Sequence, residues 1–169
     1  DKANDMLVSM GITSIQDATH TNDLSRWNIF TQAKQAGRLV PRLTFMPGIS
    51  QLGSFLEEGL IPGTSISNDI SIGAAKVMLT LTGGALHPSM EELKEMIRTA
   101  ASQGFPVAIH VVEAESLEAV LHVIEDNGME GLGSSIRIEH CSECPPSMIE
   151  RLLRANITVV TQPAFIYYS

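Results

Sequence analysis

The chain has 169 residues, and its 11 Lys+Arg against 19 Asp+Glu give a formal net charge of -8. That length supports a core without covalent staples, and the acidic balance argues against nucleic acid or an anionic membrane as the main partner. Two cysteines exclude a disulfide framework and suit a reducing, cytoplasmic compartment, while no apolar run approaches the ~20 residues of a membrane span and no signal-peptide pattern opens the chain.

In chain order, residues 2–10 read as the tail of a helix and residues 12–18 as a β-branched strand. A helix over 23–37 and a strand over 41–46 follow. Residues 47–71, rich in Gly, Ser and Pro, read as one long irregular stretch of the kind that is usually functional or mobile. A strand is predicted over 74–81. Ser89 and Glu92 have capping-box spacing, and Leu93, Met96, Ile97, Ala100 and Ala101 continue as one apolar stripe that Gly104 ends in a left-handed cap. Strands over 106–112, 135–139 and 157–161 alternate with two more helices. The stripe of Leu117, Val120, Leu121 and Ile124 is closed by Asn127-Gly128. Pro145-Pro146 opens the last helix, with Met148, Ile149, Leu152 and Leu153 inward. Strands separated by helices of roughly 10–16 residues indicate βαβ units and a parallel sheet. Several strands are apolar nearly throughout, as expected when both faces are covered. Two architectures fit: an open doubly wound α/β sheet, or about six strands of a (β/α)8 TIM barrel, here a single domain over residues 1–169. Both place ligands at the carboxyl ends of the strands.

His110 closes the run from Phe105 and His140 closes the run from Ile136, so both belong on one rim, one βα unit apart. Two imidazoles there suit a metal such as zinc; the bland alternative is a pair of hydrogen-bonded, half-buried histidines. Lys76 lies in an apolar strand with no acid near it in sequence. A buried Lys is costly unless paired or modified. Its neutral amine can take up carbon dioxide to form a carbamate, and the bland alternative is an ion pair or a stem that reaches solvent.

Five runs occur in order: Gly11-Ile-Thr-Ser-Ile-Gln-Asp-Ala, Lys76-Val-Met-Leu-Thr-Leu-Thr-Gly-Gly, Val107-Ala-Ile-His-Val-Val-Glu, Arg137-Ile-Glu-His-Cys and Val159-Val-Thr-Gln-Pro-Ala-Phe. Together they resemble the metal-dependent amidohydrolase superfamily, in its amidohydrolase family 3 branch, and the resemblance covers nearly the whole chain. It implies a TIM barrel with a divalent metal site, most often zinc with one or two ions, at the strand ends. By motif, Lys76 becomes the strand-four bridging ligand, a role that the carboxylate of a carbamylated Lys76 would suit. His110 becomes the strand-five ligand and His140 the strand-six ligand. The implied reaction is hydrolysis of an amide, cyclic amide or N-acyl carbon–nitrogen bond by metal-activated water.

The departures from the family pattern are specific. The sequence has no His-x-His pair, and no strand-eight Asp follows Thr161, so the expected general base lies outside this chain. Charged residues make up 18%, below the ~25% of an average soluble domain. The chain also opens at Asp1 without Met. These features suggest an internal barrel fragment, about strands two to seven, with no hydrolase activity of its own and exposed edges that favour a homodimer or higher assembly. Candidate contacts to a small-molecule substrate are His87, Glu113, Arg137 and Gln162. His20 and Asp17 after the first strand read as loop residues and His122 as structural. Cys141-Ser-Glu-Cys144 reads as a loop feature lacking the strand-to-helix context of a redox motif. Two competing classes remain: a non-enzymatic α/β binding or scaffold module, and a half-site completed by another chain.

Overall fold

A computed structural model of the chain describes residues 2–67, 69–126, 129, 131–162 and 164. It divides into two compact units, Asp1–Lys76 and Val77–Ser169.

The first unit contains α1 (Lys2–Ser9), β1 (Ser14–Asp17), α2 (Leu24–Gln35), β2 (Arg42–Phe45), a 3-10 turn at Ile49–Gln51, α3 (Leu52–Glu57), β3 (Ser65–Ser67) and β4 (Ile70–Ile72). The Asp23 side chain accepts the Arg26 N–H at 2.9 Å and so starts α2. The sheet order is β1-β2-β4-β3, with β1, β2 and β4 parallel and β3 antiparallel to β4. Phe45 is fully buried and meets the rings of Trp27, Phe30 and Phe55 at 5.4, 5.9 and 6.0 Å. Such aromatic pairs contribute ~1 kcal/mol each beyond the area they bury.

The expectation of one irregular stretch over 47–71 is corrected here. It holds a short helix and two strands, and β4 extends the parallel sheet by pairing Leu43↔Ile70 and Phe45↔Ile72. Ile70 and Ile72 are buried against this core, so partner pairing, rather than local composition, makes these residues a strand.

The second unit continues from β5 (Ala75–Met78) into β6 (Thr80–Thr82), β7 (Ala85–His87), α4 (Met90–Ser102), β8 (Val107–Val111), α5 (Ala114–Glu125), a 3-10 turn at Leu132–Ser135, β9 (Ile136–His140), α6 (Pro146–Ala155) and β10 (Thr158–Val160). The sheet runs β10-β9-β8-β5, and β5 is the strand on which the chain passes from the first unit to the second. β8 pairs parallel with β9, and β9 parallel with β10.

The strand predicted over 74–81 is split. Its second part folds back as a β6–β7 hairpin, because Gly83 and Gly84 take φ of 61° and 78°, the two positive values that a tight type I′ turn needs. The capping box is present as predicted: the Ser89 N–H donates to Glu92 Oε2 at 2.8 Å, and the Ser89 hydroxyl accepts the Glu92 N–H. Gly104, at φ 77°, follows α4 as the expected left-handed residue. Asn127-Gly128 lie outside the described residues. The core of this unit is Leu93, Ile97, Ile109, Leu117, Leu121 and Ile138, all at most 1% exposed. Parallel strands alternating with helices are therefore the fold class, as the sequence patterning predicts. Among the described residues no helix is long and apolar enough to cross a membrane.

Candidate metal centre

β8 and β9 deliver the two histidines. Their register pairs His110 with Glu139, and Val111 with His140. In a regular pleat paired residues share a face and successive residues alternate, so His140 would point away from His110. The two rings nevertheless meet edge to face, with centres 4.7 Å apart and planes at 73°.

The backbone at the end of β9 explains this. His140 has φ 76° and Cys141 has φ 51°. Relative to a parallel strand near φ of about −120°, His140 is turned roughly half a revolution about N–Cα, which carries its ring across to His110. Left-handed non-glycine residues cost about 1–3 kcal/mol each and persist only where neighbours hold them. Here the Cys141 N–H donates to Val111 O at 2.9 Å and to Glu139 O at 3.2 Å, and the Glu143 N–H donates to Val112 O at 3.0 Å. The Glu143 carboxylate in turn accepts the Ala114 N–H at 3.1 Å, which ties the loop to the first turn of α5. Sequence reasoning passed over Glu143; its bond spans 29 residues and leaves no local signal.

Gln162 follows β10 by two residues, and its Oε1 lies 2.6 Å from His140 Nδ1. Both histidines are half-buried. Arg137 Nε donates to Glu139 Oε1 at 2.6 Å, an ion pair that compensates a carboxylate on a residue only 6% exposed. Cys141 and Cys144 are free thiols; burial, with Cys144 beside it, pushes the Cys141 thiol up to about 12. The expectation that this C-x-x-C lacks a strand-to-helix context is corrected: Cys141 directly follows β9, and Cys144 stands two residues before α6.

Of the other candidates, Lys76 is buried at 4% exposure and belongs to the first unit, where its N–H donates to Pro47 O at 2.8 Å. His87 is exposed on β7 and His122 exposed on α5. The Glu113 carboxylate accepts the Ser116 hydroxyl at 3.0 Å at the start of α5. Asp17 accepts the Thr19 N–H at 3.0 Å, and His20 is exposed beside it. Pro163 and Phe165, which end the run that begins at Val159, lie outside the described residues.

Among the described residues, no three His, Cys, Asp or Glu side chains gather as a metal site. The imidazole pair fits as two of the three or four ligands that zinc takes. A ring centre sits about 3.2 Å from an ion bound through Nε2 at about 2.0–2.1 Å, so two rings on one tetrahedral ion have centres about 5 Å apart. The observed 4.7 Å is close to that.

Residues 3–168 match the Amidohydrolase family. The chain belongs to this family. The amidohydrolase chain is also similar to two solved structures, each described as an uncharacterized metal-dependent hydrolase. The one from Pyrococcus horikoshii OT3 is 24% identical with a TM-score of 0.78, over 98% of this chain and 36% of that one. The one from Pyrococcus furiosus is 21% identical with a TM-score of 0.81, over 99% of this chain and 38% of that one. At these identities the likeness shows a shared fold, and this amidohydrolase chain spans little more than a third of either structure's length. No curated protein matches it significantly.

Proposed function

We propose that the chain carries His110 and His140 as ligands of a catalytic divalent metal, zinc by its donor chemistry, in a hydrolase of amide, cyclic amide or N-acyl carbon–nitrogen bonds. The observation that carries this reading is the meeting of two imidazoles 4.7 Å apart at the ends of neighbouring parallel strands. It also favours the hydrolase over a scaffold module, in which the histidines would pack separately. Family membership supports the reaction class and the (β/α)8 barrel. Lys76 enters through the family motif alone, as a bridging ligand in carbamylated form.

When bound, the ion would act as a Lewis acid on the scissile carbonyl and acidify a water molecule. His110 and His140 present nitrogen lone pairs from one side. The hydrogen bonds of Cys141 and Glu143 hold the β9 turn that aims His140. Arg137 neutralises Glu139, which stands opposite His110 in register, so the rim carries no uncompensated buried carboxylate from this pair. His87, Glu113 and Arg137 remain proposed contacts to a small-molecule substrate.

Cobalt titration followed by visible absorption tests the ligands. Weak binding by the 169-residue chain, lost in both His110→Ala and His140→Ala, is expected; binding unchanged in both variants overturns the assignment. With only part of the ligand set present, the isolated chain is expected to show no hydrolysis of N-acyl substrates. Turnover, or tight stoichiometric zinc by elemental analysis, would overturn that expectation.

A further inference from the structure

Resting on the metal reading above, we propose that Gln162 is a positioning residue, which fixes the tautomer of His140 so that Nε2 carries the lone pair. A neutral imidazole has one N–H, and the partner of one nitrogen decides the role of the other. At His140 the partner of Nδ1 is the Gln162 side-chain oxygen, 2.6 Å away. An amide oxygen only accepts, so Nδ1 donates and the proton is held there. The lone pair is then confined to Nε2, the nitrogen farther from the backbone.

The backbone gives this contact its geometry. β10 runs parallel to β9 in the register Val160↔Glu139, so the chain leaving β10 passes alongside His140. The left-handed residues that end β9 turn the His140 ring toward His110, and Gln162 meets it from the third strand. Three adjacent strands thus define one ring: β9 supplies it, β8 faces it and the segment after β10 sets its proton. An amide sets a tautomer without adding charge. A carboxylate in its place would also make the ring a stronger base and attract a second proton.

The test reads the tautomer directly and needs no activity. Long-range 1H–15N correlation spectra of the 169-residue chain, taken without metal at a pH where imidazoles are neutral, distinguish Nδ1–H from Nε2–H. The His140 signal is assigned by its loss in His140→Asn. The wild type is expected to show His140 as Nδ1–H. Gln162→Leu should shift it toward the Nε2–H form favoured by an unconstrained neutral histidine side chain. Gln162→Glu, which keeps an acceptor at the same place, should keep the proton on Nδ1, read at a pH high enough that the second proton a carboxylate favours has left the ring. Circular dichroism of the wild type and the three variants checks that the fold is kept.

An Nε2–H ring in the wild type, or a tautomer that Gln162→Leu leaves unchanged, overturns the inference. Zinc affinity is the second readout: Gln162→Leu should weaken it about 10- to 100-fold, the range seen when a partner of a metal-bound histidine is removed. If the tautomer behaves as expected while no variant or wild type binds zinc, the metal reading fails and the positioning role stands.

Discussion

Cys141 and Cys144 are three positions apart yet chemically unequal. Cys141 is 9% exposed, and burial raises its thiol to about 12, whereas Cys144 is half-exposed. Thiolate is the reactive form, so Cys141 is inert near neutral pH. Brief treatment of the folded chain with iodoacetamide at pH 8 should alkylate Cys144 and spare Cys141. Peptide mass spectrometry reads the difference, and equal labelling of both contradicts the burial described. The same contrast shows what a residue's type leaves unsaid. His140 and His110 were legible as strand-end histidines because each closes an apolar run. That they touch was not legible, since the φ of 76° is held by hydrogen bonds to Val111, which ends β8, and to Val112 just after it. Gln162 was legible as a rim residue; its bond to a ring 22 positions away was not.

Between elements, α5 and α6 are linked by one side chain. The Arg151 guanidinium bonds Glu125 at 2.6 and 2.8 Å and Glu118 at 2.8 Å. Arg151 holds the Glu125 carboxyl below its ordinary value of 4.5. A folded value below the unfolded one means that the unfolded chain takes the proton first. The stabilisation is therefore complete above about pH 4.5 and is lost as pH falls through the folded value. Both carboxylates are more than two-fifths exposed, so the pair's worth is at most about 1 kcal/mol. Thermal melts from pH 6 to 3 should show Glu125→Gln less stable at pH 6 and converging on the wild type toward pH 3; parallel curves would contradict the link. Elements with strong local signals, such as the Ser89 capping box and the stripe of Leu117 and Leu121, were readable from sequence. The three-residue strands Ile70–Ile72 and Ala85–His87 were not, because a strand that short is made by its partner's register and its turn.

At the scale of the chain, β1 and β10 stand at the ends of their sheet orders, and Val159 on β10 is 39% exposed. A sheet's end strand offers backbone groups to another copy; on α6, Ile149 and Leu153, expected to face inward, are instead 47% and 74% exposed while Leu152 is buried, so the helix adds apolar surface in the same unit. Self-association of the 169-residue chain is the proposal that follows. Light scattering over a hundredfold concentration range should give a mass above that of one chain, and a constant monomer mass overturns it. The ring pair, by contrast, needs no second copy, since one continuous stretch from Val107 to His140 supplies both histidines and the crossover between them. Extended to Glu143, the same stretch also contains the Cys141 and Glu143 backbone bonds that hold the His140 turn, so the pairing of the two rings is written into one contiguous piece of chain.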